Sequence, residues 1–182
     1  MKKIVIGLVG PIKAGKGEIS RYLVEKYNAS IYRFSHILGR ILSILYLSQS
    51  RENLQNLAIS LRREFGSGVL IPAIEAMIKG NDNSLIVIDG IRMIEEAEMI
   101  KKMNGILIYI NASNQIRYDR LQKPEKTGEE LLTFEQFMEA QKKETELLIV
   151  QISQISDFAI INDTSVKDLH NAIDLIIKRI RR

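Results

Sequence analysis

The stretch Gly10-Pro-Ile-Lys-Ala-Gly-Lys-Gly17 constrains this chain more than any other. It follows Lys3-Ile-Val-Ile-Gly-Leu-Val9, an apolar run of the kind that forms a buried strand. It precedes Glu18 to Tyr27, where Ile19, Tyr22, Leu23 and Lys26 recur at helical spacing. A strand that empties through a glycine-rich turn into a helix brings backbone N–H groups and the positive helix end to one point. The spacing Gly-x-x-x-x-Gly-Lys therefore reads as a phosphate-binding loop. Backbone amides near Lys13, Ala14, Gly15, Lys16 and Gly17 converge on a phosphate, and the Lys16 amine reaches the outer phosphates. Gly10 and Gly15 allow the tight turn. The alternative is an ordinary glycine turn, which the flanking strand and helix patterns argue against.

A second segment, Leu85-Ile-Val-Ile-Asp-Gly-Ile-Arg92, is an apolar strand ending in an acid, followed by an arginine that opens a helical stretch. A carboxylate at a strand end beside a phosphate loop is placed to hold the shell of Mg²⁺, and Asp89 is the candidate. The competing reading is a strand-capping Asp in an Asp-Gly turn. Position 17 is glycine, where a Ser or Thr usually holds the metal, so Glu18 is a second, weaker candidate ligand.

Gly15-Lys-Gly17 together with Asp89-Gly-Ile-Arg92 resembles adenylate kinase and other P-loop nucleoside monophosphate kinases. The Gly-Lys-Gly-Glu18 ending looks more like archaeal-type proteins related to dephospho-coenzyme A kinase. The resemblance implies a P-loop fold with a parallel five-stranded sheet in the order 2-3-1-4-5, and an acceptor phosphate held by Arg92. It likewise implies that residues 35–79 form a helical acceptor-binding insertion, beginning at Phe34-Ser-His-Ile-Leu-Gly-Arg40 with Ser35 and Arg40 on the acceptor. Arg51, Arg62 and Arg63 follow in the same insertion, of which Arg62 is the leading further contact; an arginine fork suits bidentate phosphate binding, although most surface arginines are merely solvated. His36 reads as a local hydrogen-bonding residue rather than a base.

In the same resemblance Arg117-Tyr-Asp-Arg-Leu121 puts Arg120 against the adenine, and the polar segment 122–132, broken by Pro124 and Gly128, is the lid. The family expects an arginine on the transferring phosphate, whereas this segment offers only Lys123 and Lys126. Asn162 and Asp163 would lie along the adenine edge, although an Asn-Asp turn leading to a Thr164 or Ser165 N-cap accounts for the same residues structurally. The function implied is ATP- and Mg²⁺-dependent phosphoryl transfer to a small nucleotide-like acceptor, either a nucleoside monophosphate or dephospho-coenzyme A. A nucleotide-binding ATPase or regulatory module that keeps the fold without phosphorylating an acceptor is the alternative.

Apolar and helical patterns alternate along the chain without a linker or repeat, which is the mark of an α/β protein with a parallel sheet in a single domain over residues 1–182. Strands are expected at 3–9, 30–34, 84–89, 105–110 and 157–161. Helices are expected near 16–27, 36–47, 51–65, 68–79, 92–103, 114–121, 133–153 and 165–181. The absence of cysteine excludes disulfides and cysteine metal sites. With no membrane-length apolar run and no signal-peptide pattern, a cytoplasmic protein without a membrane partner is expected. The net charge of +4 does not imply nucleic-acid binding: the terminal Lys178-Arg-Ile-Arg-Arg182 offsets a helix C-terminus, and the rest suits polyanionic substrates.

Overall fold

The computed structural model describes residues 3–123, 132–141 and 144–181. Five strands, β1 (Ile4–Val9), β2 (Ser30–Arg33), β3 (Leu85–Ile91), β4 (Ile106–Asn111) and β5 (Phe158–Ile161), form one sheet in the order β2-β3-β1-β4-β5. Every pairing is parallel, as the crossover helices between consecutive strands require. The order 2-3-1-4-5 is the one the family resemblance implies.

The central strands are buried and apolar but for Asp89 and the glycines, because helices cover both faces. Alternation divides their side chains: Val5 and Val9 of β1 enter one core, while Ile6 and Leu8 enter the other. The second core is closed by α1 (Lys16–Tyr27) and α9 (Val166–Ile180), through Ile19, Leu23, Leu169 and Ile173. The first is covered by α2 (Phe34–Ile44), α3 (Arg51–Phe65), α4 (Ile71–Lys79), α5 (Ile94–Lys102) and α8 (Glu144–Gln154). The insertion between β2 and β3 is therefore packed, with Leu38, Ala58, Leu70, Ile74 and Ile78 all buried.

The single helix expected over 133–153 is two helices, α7 (Phe134–Ala140) and α8. They serve different neighbours: Phe137 of α7 is buried beside Tyr118 of α6 (Asn114–Leu121), while Ile149 and Ile152 of α8 are buried in the first core. A capping box starts α7, in which Thr133 Oγ1 accepts from the Gln136 amide and the Gln136 side chain accepts from Thr133 N–H. Ser165, one of the two anticipated caps, starts α9 through a capping box with Asp168. Among the described residues no helix is long and apolar enough to cross a membrane.

Candidate active site

All the strands run parallel, so their C-terminal ends open on one edge of the sheet, the edge where ligands bind in open α/β folds. β1 runs there into the glycine-rich loop. A side chain at Gly10 would overlap the Ile110 carbonyl oxygen of β4, which fixes glycine at the loop's entrance. Lys13 adopts the left-handed region at φ 59°, uncommon for a residue with a Cβ, and Gly15 lies at φ 112°. These two kinks turn the chain into α1.

The loop is braced from two sides. Asn162, buried at the end of β5, donates from Nδ2 to the Ala14 carbonyl at 2.9 Å. A methyl at Gly15 would collide with that same amide group. Arg120 on α6 donates to the carbonyls of Lys13 (3.2 Å) and Asn162 (2.9 Å), tying α6, β5 and the loop together. The Lys16 amine folds onto the carbonyls of Gly10 (2.7 Å) and Pro11 (2.8 Å).

Around this frame lies a cleft of about 570 Å³, lined by Lys13, Gly15, Lys16, Gly17, Glu18, Arg21, Asp89, Arg120, Asn162 and Val166. Asp89 stands opposite Leu8 in the sheet and is buried, with Oδ2 accepting from Arg33 Nε at 2.8 Å. Its second oxygen makes no hydrogen bond with a described residue. A metal held by one carboxylate and the phosphates of a nucleotide, as Mg²⁺ usually is, fits this donor set. Glu18 fits it less well, because one oxygen is paired with Arg21 and the other lies 2.8 Å from His170 Nε2. No group of three carboxylate or imidazole ligands exists among the described residues. At Gly17 a side chain would meet open space, so the missing hydroxyl has no steric cause.

The remaining sequence candidates separate. Asp163 does not line the cleft: its Oδ1 accepts from the Ser113 amide at 2.7 Å, pinning the β4–α6 turn. Ser35 and Arg40 lie exposed on α2, and Lys123 is exposed just beyond α6. Lys126 and most of the anticipated lid lie outside the described residues. Arg62 is turned inward, with NH2 2.9 Å from Oε1 of Glu96 and its side chain 17% exposed. Glu96, 1% exposed, also accepts the backbone N–H groups of Arg92 (2.8 Å) and Met93 (3.2 Å). Burial pushes the Glu96 carboxyl above the usual carboxylate range, against the three donors that pull it down. Arg62 thus anchors α3 to the turn that carries Arg92, a duty that competes with the expected one of gripping substrate.

Sequence reasoning missed Arg33, Arg117 and Glu96. Arg117, buried on α6, donates to the Ala112 carbonyl at 3.1 Å and stacks over Phe137. Only the Glu96 carboxylate, three residues after the Met93 N-cap where a capping-box acid reaches back to the backbone N–H, was there to be read.

The family model described as an AAA domain matches residues 6–146, spanning the phosphate loop, the Asp89 strand and α6. A UPF0200 protein of Pyrobaculum aerophilum is 31% identical over 127 residues, covering 68% of this chain and 71% of its own. The chain belongs to the AAA domain and UPF0200 families. A further UPF0200 protein, from Methanocaldococcus jannaschii, is 29% identical over 180 residues, 97% of this chain and 90% of that protein. Among solved structures, the chain superposes on shikimate kinase from Bacteroides thetaiotaomicron with a TM-score of 0.65 at 12% identity, covering 96% of this chain and 98% of that one. Shikimate kinase from Acinetobacter baumannii, in complex with shikimate, gives 0.61 at 17% identity, covering 97% and 94%. The fold of the chain is that of the P-loop kinases.

Proposed function

We propose that the chain is an ATP-dependent phosphotransferase whose acceptor is a small, phosphate-bearing nucleotide-like molecule, a nucleoside monophosphate or dephospho-coenzyme A. The observation that carries this is the convergence of Lys13, Gly15, Lys16, Gly17, Asp89 and Arg120 on one cleft at the C-terminal edge of the sheet. Phosphoryl transfer asks for positioning and charge stabilisation rather than covalent chemistry, and this is what the cleft supplies. The loop amides and Lys16 bind the β- and γ-phosphates, Lys16 leaving the Gly10 and Pro11 carbonyls to do so. Mg²⁺, when bound, neutralises charge that builds on those phosphates, and Asp89 orients it. Arg120 lies against the adenine while bracing the loop. Arg92 and Arg40, with Ser35, hold the acceptor's phosphate, and Lys123 approaches from the segment after α6.

A coupled ATP assay against nucleoside monophosphates and dephospho-coenzyme A tests this reading. Phosphorylation of one acceptor well above the rate of ATP hydrolysis is expected. Hydrolysis without any transfer would favour the second reading, a nucleotide-binding ATPase or regulatory module. That reading draws support from Arg62, which is committed to Glu96 and leaves fewer arginines for an acceptor.

A further inference from the structure

We propose that Arg33 supplies the guanidinium that stabilises the phosphoryl group during transfer, acting from the β2 end of the sheet. The inference rests on the phosphotransferase reading.

β2, β3 and β1 are neighbours, and their register puts Arg33 beside Asp89 and Asp89 beside Leu8, two residues before the phosphate loop begins. With adjacent strands about 4.8 Å apart, the Arg33 Cα stands roughly 10 Å from β1. An arginine side chain spans most of that distance. Its guanidinium is already drawn towards β1, because Nε donates to Oδ2 of Asp89 at 2.8 Å and Asp89 lines the cleft.

The way Arg33 is held matters as much as where it is. Its side chain is 35% exposed and that of Asp89 is 9% exposed, so a buried carboxylate grips Nε of a guanidinium that still reaches solvent. The terminal nitrogens make no hydrogen bond with any described residue, whereas Arg62 and Arg117 use theirs on protein partners. A fork clamped at Nε with both ends open is pre-organised for two parallel bonds to an anion, and ordering it at the moment of binding costs little. Asp89 keeps its other oxygen for the metal shell, since a carboxylate has about four lone-pair sites. One acid can therefore align the guanidinium and the metal on the same phosphoryl group.

Among the described residues, Arg120 lines the cleft, but both of its terminal nitrogens are spent on the Lys13 and Asn162 carbonyls. The segment 122–132 contains lysines and no arginine, and a lysine supplies charge without the planar fork. Arg21 lines the cleft, but it is paired with Glu18 at the far end of the loop.

In the step itself, an acceptor oxygen forms a bond to the γ-phosphorus as the bond from that phosphorus to the β–γ bridging oxygen breaks. The bridging oxygen keeps the electron pair and leaves on ADP, and any proton on the acceptor oxygen passes to water. Charge spreads over the equatorial oxygens of the moving group, and Arg33 donates to two of them. Its contribution is made in transfer and not in the ground state.

A transition-state mimic reads this without an identified acceptor. ADP with Mg²⁺ is titrated by calorimetry in the presence and absence of aluminium fluoride, which occupies the place of the moving phosphoryl group, using the full chain and the variants Arg33→Met, Arg33→Gln and Arg33→Lys. The parent is expected to gain affinity with fluoride. Arg33→Met and Arg33→Gln should lose at least about tenfold of that gain, the size expected for a charge-assisted contact, with Arg33→Lys between them and the parent. Affinity for ADP with Mg²⁺ alone should change by less than about threefold, a small fraction of one charged contact. An undiminished fluoride gain in Arg33→Met, no gain in the parent, or an equal loss of ADP affinity with and without fluoride would each overturn the assignment. The last outcome would reduce Arg33 to a support for Asp89. Failure of the parent to bind ADP at all would overturn the phosphotransferase reading itself, and Arg33 with it.

Discussion

Glu96 is almost wholly buried, yet it is ionisable and holds together the turn on which Arg92 sits. Removing one member of a buried pair leaves the other charge uncompensated, so Glu96→Ala should destabilise the protein by about 3 kcal/mol or more in urea melts. Because burial raises its folded-state pKa above the ordinary 4.5, the folded protein holds this proton more tightly than the unfolded chain does. The stabilising contribution is therefore complete below 4.5 and lost as pH rises through the folded value. The stability of the parent relative to Glu96→Gln should fall across that window, and a rise would contradict the ionisation described. Arg92 itself should act on the acceptor. Arg92→Ala is expected to raise the acceptor's KM or abolish transfer while ATP affinity is retained; an equal loss of ATP affinity would move Arg92 to the donor side.

Contacts between elements hold the phosphate loop in shape. Asn162 satisfies the Ala14 carbonyl in a place closed to water, so Asn162→Ala should cost about 1–3 kcal/mol and weaken ATP binding, as thermal melts and calorimetry would report. Farther along α1, that helix is joined to α9 at Asp174, which accepts from Lys26, Tyr22 and Tyr27. Burial acts to raise the Asp174 carboxyl, but these donors prevail and hold it below its usual value of 3.8. Its stabilisation is thus present above 3.8 and lost as pH falls through the folded value. Asp174→Asn should lower the denaturation midpoint at neutral pH, and the difference from the parent should shrink in strong acid; a constant difference would mean that the charge has no part in the joint. The strand and helix spans could be read along the chain to within a few residues, because burial on one or both faces imposes its period locally. The break between α7 and α8 could not, since it depends on which neighbours Phe137 and Ile149 meet.

At the scale of the whole molecule, the alternation of strand and helix patterns was enough to anticipate a parallel α/β sheet, and the family resemblance supplied its order. What stayed hidden were the pairs Arg33–Asp89 and Arg62–Glu96, joined across 56 and 34 residues by packing that no local pattern encodes. They bear on the arginines: Arg62 is paired with Glu96, and Arg33, which attracted no notice, is bonded to an acid that lines the cleft. Whether that cleft is a nucleotide phosphate site is tested most directly by titration of ATP with Mg²⁺ into the parent and Lys16→Ala by calorimetry. A phosphate site there should give saturable binding by the parent and at least about tenfold weaker binding by the variant, with its thermal midpoint lower by no more than a few degrees. Equal affinities, or no binding by the parent, would contradict it.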